Sequence, residues 1–205
     1  MLSEAFGINI YKDLLNMKKL LVEGLSDKLI LQKVFKLNTI DYGITNGQGS
    51  NIVQIAARLN DDEISVMVLT DDDDDGKKYK ANILKIGGVF NSSNVFTLKD
   101  LASGLVTSGT IEDCLAQDYV ESQFKKLYKN KFNNDIAIQL NVHQPFIEQC
   151  KIALQQEQRL STQEVKSFLD DLKISISEDF NPSQSTWKTK FPILENLIDK
   201  IKEKI

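Results

Sequence analysis

Residues 64–76 read ISVMVLTDDDDDG. The stretch up to Thr70 is a nearly continuous apolar run with two valines, bounded by charge on both sides. A strand with one wet face alternates apolar and polar residues. A run without that alternation fits a strand covered on both faces, as in a parallel sheet. Asp71 to Asp75 and Gly76 end it, and Tyr79, Ile83 and Ile86 then mark one side of a helix.

The same strand-then-helix pattern extends in both directions. Upstream, KKLLVEG predicts a strand over Leu20 to Val22, ended by Glu23 and Gly24. A helix from Ser26 follows, with Ile30, Val34 and Leu37 on one face and Leu31 and Phe35 beside them. A weak strand near Asp41 to Thr45 leads into the turn NGQGSN and a helix with the stripe Ile52, Ile55, Ala56, Leu59. Downstream, VFTL at 95–98 is a further strand. This order predicts an α/β fold: a doubly wound, mainly parallel sheet of about four strands, Rossmann-like, with right-handed crossovers. Sites in such sheets gather at the carboxyl ends of the strands. Glu23 and Asp71 each follow a predicted strand, so these distant acids are expected to meet on one edge.

From about residue 110 the pattern turns helical. Thr110 is placed to cap a helix through Ile111, Leu115 and Tyr119. Ser161 and Glu164 form a capping box ahead of Val165 and Phe168. Phe191, Leu194, Leu197, Ile198, Ile201 and Ile205 make an amphipathic last helix, either packed on the core or offered to a partner. The polar segment Ser175 to Lys190 reads as loop. The expected organisation is a lead-in over 1–17, a catalytic core over 18–125 and a helical C-terminal extension over 126–205 packing on that core.

Composition narrows the chemistry. The chain has 205 residues and a net charge of −4, which argues against gripping long nucleic acid through a general basic surface. No apolar run approaches the ~20 residues that cross a bilayer, and the opening MLSEAFGINIYKDL has no secretory h-region. Two cysteines, Cys114 and Cys150, without metal-type spacing fit a reducing, cytoplasmic setting. One histidine, His143, and no thiolate cluster disfavour zinc, and nothing around NVHQPF suggests a nucleophile for His143.

Acids remain. LLVEGLSDKLIL places Glu23 at a strand end and Asp27 in the first turn of the next helix, with Gly24 allowing the turn between them. VMVLTDDDDDGK places Asp71 and Asp73 after the buried strand. Magnesium takes oxygen ligands, commonly one or two carboxylates with water and phosphate, so carboxylates converging at strand ends make a suitable cradle. Each acid also has a plainer reading. The aspartate run is compatible with a solvated loop, and Asp27 with a favourable charge at a helix N-terminus. Asp72, Asp74 and Asp75 read as bystanders. TNGQGS suits either a phosphate cradle or a simple strand-to-helix turn, and Lys77 and Lys78 either a nucleic-acid backbone or solvent.

The two acidic elements resemble the Toprim family of topoisomerases, bacterial primases, 5S-rRNA maturases and OLD-type (overcoming lysogenisation defect) nucleases. That family has a Glu after its first strand, often followed by Gly and a nearby Asp, and a DxD with a following Gly after its third. Glu23, Asp27, Asp71, Asp73 and Gly76 stand in that order, and the resemblance covers about residues 18–115. It implies a two-metal site for Mg2+ or Mn2+ and hydrolysis of phosphodiester bonds. ASGLVTSGTIEDCL resembles the element that OLD-type nucleases add after the last Toprim strand, which would bring Glu112 to the metals; Glu112 as a first-turn charge and Asp113 as a capping acid is the alternative. SEAFGIN resembles the entry into Toprim from the ATPase half of those proteins, yet no GxxxxGK[ST] is present. A lysine beyond the acids is implied as well, with Lys190, or Lys188, of TWKTKF as candidate.

On this reading the chain is a DNA endonuclease, set in bacterial or phage defence and working with an ATPase or sensor partner; self-association is compatible with it. The alternatives are an RNA-processing nuclease of the 5S-rRNA maturase type and a non-catalytic Toprim module that binds a partner.

Overall fold

The computed structural model describes residues 19–156 and 160–204. The lead-in over 1–17, with SEAFGIN, and Ile205 of the last helical stripe lie outside the described residues. Four strands form one sheet: β1 (Lys19–Val22), β2 (Gly43–Asn46), β3 (Met67–Thr70) and β4 (Val95–Thr97), in the order β2-β1-β3-β4. Every pairing is parallel. Val22 lies level with Asn46 and with Leu69, and Thr70 with Thr97. The carboxyl ends therefore share one edge. The chain winds outward to β2 on one side of β1 and to β4 on the other, so the winding direction reverses between β1 and β3. That gap is where doubly wound sheets hold their ligands.

The central strands β1 and β3 are mainly apolar because both faces are covered. Leu20, Val22, Met67, Leu69 and Phe96 pack into the larger apolar cluster, while Leu21, Val68 and Val95 alternate into the smaller one. The smaller cluster is closed by α2 (Ile52–Asp61) and α3 (Asp74–Ile86) through Ile52, Ala56 and Ile83, with Phe90 beside them. The larger one begins with α1 (Leu25–Leu37) and the short α4 (Leu98–Leu101). It continues into α5 (Gln117–Phe132), α6 (Phe146–Gln156), α7 (Thr162–Asp179), α8 (Trp187–Lys190) and α9 (Pro192–Lys204). Phe124, Phe168, Leu172 and Ile176 belong to the same cluster as the sheet residues. Burying such a side chain stabilises the fold by about 1.5–3 kcal/mol. No helix among the described residues is long and apolar enough to cross a membrane.

Two expectations are corrected. Ser175 to Lys190 is not one loop: α7 runs on to Asp179, and Trp187–Lys190 forms a helical turn. The segment is polar in sequence, but Ile176 and Trp187 are buried, and the Lys33 ammonium of α1 donates to the carbonyls of Ser177 (2.9 Å) and Glu178 (2.6 Å). These bonds occupy carbonyls that a helix end leaves without an intrahelical partner. Thr110, in turn, caps a 3-10 turn over Ile111–Cys114 and not the long helix, which starts only at Gln117. The Ser161 box forms as expected: the Ser161 hydroxyl oxygen accepts from the Glu164 N–H at 3.3 Å, and the Glu164 carboxylate accepts from the Ser161 N–H at 2.7 Å.

Candidate metal centre

The end of β1 delivers Glu23 and the end of β3 delivers Asp71, and the two meet. The Glu23 carboxylate Oε2 accepts a hydrogen bond from the Asp71 backbone N–H at 3.1 Å. Glu23 is held from behind as well, since its carbonyl accepts from the Gly49 N–H (2.9 Å). In the NGQGSN turn the Gly47 N–H donates to the Val22 carbonyl and the Gln48 N–H to Asn46 Oδ1, both at 2.7 Å. The first three amides of that turn therefore bind the end of β1 and the turn itself, which fits the strand-to-helix reading better than a phosphate cradle. Gly47 is needed there: a Cβ would lie 2.6 Å from Ile52 Cβ.

Asp27 is buried in the first turn of α1 and accepts from the Gly24 N–H at 2.7 Å. Asp73 caps α3, accepting from the Gly76 N–H at 2.8 Å. Gly76 packs so closely under the turn that a Cβ would stand 2.2 Å from the Asp71 carbonyl oxygen. Glu112, 0% exposed, accepts from the Thr110 hydroxyl at 2.6 Å. Asp113 takes the capping role, accepting from the Thr110 N–H (2.9 Å) and, with its other oxygen, from the N–H of Phe146 at the start of α6 (2.8 Å). His143 is exposed, in a turn of its own.

Glu23, Asp27, Asp73 and Glu112 are each anchored by one hydrogen bond, and the charges of the group act on one another. Burial pushes Glu23 up to about 7, helped by Asp27 and Asp73 and opposed by the Asp71 N–H. Burial and the neighbouring Glu112 push Asp27 up to about 6. Asp71 is held well above the usual carboxylate range by burial, then by Asp27, Glu23 and Glu112. Two buried oxygens in the group, Asp71 Oδ1 and Glu112 Oε1, accept no hydrogen bond. Such an orphan costs about 1–3 kcal/mol, more if charged.

Among the described residues, the cation that faces these acids comes from the C-terminal half. Lys173 of α7 sits with its ammonium 3.9 Å from Asp71 Oδ2. Burial works against its charge, but Glu112, Asp71, Asp27 and Glu23 outweigh that and raise it above an ordinary lysine. Lys190 lines a cavity that Glu112 also lines, with its ammonium 5.7 Å from the Phe191 ring, and Lys188 pairs with Glu195 at 3.3 Å. In sequence Lys173 merely neighbours the stripe Val165, Phe168, Leu172, Ile176. Nothing local distinguishes it from a solvated lysine. The sequence reading also passed over Asp72, which is buried, whereas Asp74 and Asp75 are exposed.

The donor set is all oxygen, and it includes buried oxygens without partners, which suits a hard divalent cation. As the side chains stand, no three of the described His, Cys, Asp and Glu residues converge tightly enough to hold an ion.

Fold and site together define an α/β protein with an acidic centre at the reversal point of a parallel sheet. No protein-family profile matches the chain, and no curated protein matches it. Among solved structures it is similar to the C-terminal region of the Burkholderia pseudomallei OLD protein, at 13% identity and a TM-score of 0.49, over 92% of this chain and 98% of that one.

Proposed function

We propose that the chain is a Toprim-type nuclease that hydrolyses the phosphodiester bonds of DNA with Mg2+ or Mn2+, two ions being the natural complement of its acids. The observation that carries this is the meeting of Glu23 and Asp71 across the reversal point, with Asp27, Asp73 and Glu112 around them and two buried oxygens left without donors.

Glu23, Asp71 and Asp73 are the residues to hold the ions, with Asp27 and Glu112 completing the anionic wall. When bound, such ions supply Lewis acidity toward the phosphoryl oxygens and the attacking water. Lys173 places a fixed positive charge beside Asp71, where it stabilises negative charge developing on the phosphate in the transition state. No protein nucleophile is required. The net charge of −4 leaves little general affinity for nucleic acid, so an ATPase or sensor partner is the natural supplier of it, and a defence setting follows from the OLD-type resemblance.

The test is cleavage of supercoiled plasmid against structured RNA, each with Mg2+ or Mn2+, for the parent and for Glu23→Ala and Asp71→Ala. Plasmid nicking that both substitutions abolish supports the proposal. Preference for RNA points to the maturase alternative. Cleavage by both variants at the parent's rate overturns the catalytic assignment.

A further inference from the structure

Asp72 lies between two proposed metal ligands, yet its side chain turns away to a different task. It is 5% exposed, and both carboxylate oxygens are engaged. Oδ1 accepts from the hydroxyl of Thr97, the last residue of β4, at 3.2 Å. Oδ2 accepts from the Ser108 backbone N–H at 2.9 Å and pairs with the Lys77 ammonium at 3.2 Å. The backbone joins in, the Asp72 N–H donating to the Gly109 carbonyl at 3.0 Å. One residue thus binds the loop at 108–109 through side chain and main chain at once.

Within the loop itself the Gly109 N–H donates to the Val106 carbonyl at 3.2 Å, and the bonds from 108–109 to the end of β3 all run to Asp72. Ser108 has φ 60°, a left-handed conformation that costs an L-residue about 1–2 kcal/mol. The chain then runs at once into Thr110 and the 3-10 turn that carries Glu112. Glu112 is fully buried and has one oxygen without a donor, so its approach to the centre is set by the position of this turn.

We infer that Asp72 is a positioning residue: by clamping the Ser108–Gly109 loop to the end of β3, it sets Glu112 against Asp71 and so determines how tightly the centre takes a divalent cation. The inference rests on the metal-dependent reading above. Partners outside the ligand shell of a metal site commonly contribute 10–100-fold in affinity, and an effect in that range is expected here.

The test measures Mn2+ binding by calorimetry in the full chain, with chelator-stripped protein, for the parent and three variants. Asp72→Asn keeps an oxygen for the Ser108 N–H and an amide for the Thr97 hydroxyl, so it keeps the clamp while losing the charge. Asp72→Glu keeps the charge but displaces the carboxylate by a methylene. Asp72→Ala removes the side-chain bonds of the clamp and serves in place of Asp72→Glu should the longer side chain prevent folding. The expected result is near-parental affinity for Asp72→Asn and a loss of at least tenfold for Asp72→Glu and Asp72→Ala. If Asp72→Asn binds as weakly as Asp72→Ala, the residue acts through its charge and the positioning role is overturned. Parental affinity in Asp72→Ala overturns it as well. A parent that takes up no Mn2+ overturns the metal-dependent reading itself, a failure distinct from these two.

Discussion

Asp71 concentrates the conflict within the centre: it is buried, has one oxygen without a donor, and faces other acids with Lys173 against them. Removing its carboxylate should separate activity from stability. Asp71→Ala is expected to abolish metal-dependent plasmid nicking while raising the melting temperature in EDTA, because like-charge repulsion and a desolvated anion are both relieved. Gel assay and differential scanning fluorimetry check the two halves. Lys173→Met is expected to do the reverse to the metal-free protein, lowering its melting temperature because the acids lose their cation, and to lower activity more than Lys190→Ala does. The legibility of the site divides along the same line. Glu23, Asp27, Asp71 and Asp73 were legible as candidates because they stand at a strand end or helix start, and Glu112 through the resemblance of ASGLVTSGTIEDCL to the OLD-type element. Lys173 did not, because its partners lie far away in sequence and a lysine beside an apolar stripe is ordinary on any helix. Asp72 was passed over because a run of five aspartates does not say which of them turns inward; that is fixed by Thr97 and Ser108, which only the folded chain brings near.

Among the elements, the turn from β3 into α3 allows the least alteration. Gly76→Ala places a methyl 2.2 Å from the Asp71 carbonyl oxygen. The backbone must move, and overpacking of this kind costs about 1–3 kcal/mol. Loss of cleavage with a measurable drop in urea midpoint is the expected outcome. The cap of α7 is a gentler lever. Ser161→Ala should cost about 1 kcal/mol by loss of an N-cap bond, read as a lower urea midpoint, with the centre intact. Strand and helix order was legible because apolar runs and 3.6-residue stripes are local signals, and the four parallel strands follow them. The end of α7 was not, since Ser175 to Asp179 reads as polar loop until Lys33 and the hydroxyl of Tyr119, which donates to the Ile176 carbonyl at 2.7 Å, hold it from across the molecule.

For the whole molecule the raised carboxyls give stability a pH signature. Glu23 binds its proton near pH 7 when folded and near 4.5 when not. Between those values the folded state holds more protons than the unfolded one, so the stability from this group is complete below pH 4.5 and is lost as pH rises through 7. Asp27, raised to about 6, acts in the same direction. In EDTA, melting temperature is expected to fall from pH 5 to pH 7.5 beyond the change shown by the Glu23→Gln variant. Millimolar Mg2+ should flatten that fall, because an ion bound only by the folded state stabilises it. A slope unchanged by Glu23→Gln would count against the buried charge arrangement.

The grip of Lys33 on the carbonyls of Ser177 and Glu178 also fixes an order of events during synthesis. A nascent chain that has emerged only through β4 has the acids that follow β1 and β3 but not Lys173. Lys173 is translated 102 residues after Asp71, and α1 then has to draw its helix in across that length of chain. The acids are therefore synthesised well before the lysine that faces them, and the charge arrangement of the centre closes only once α7 has been made and docked.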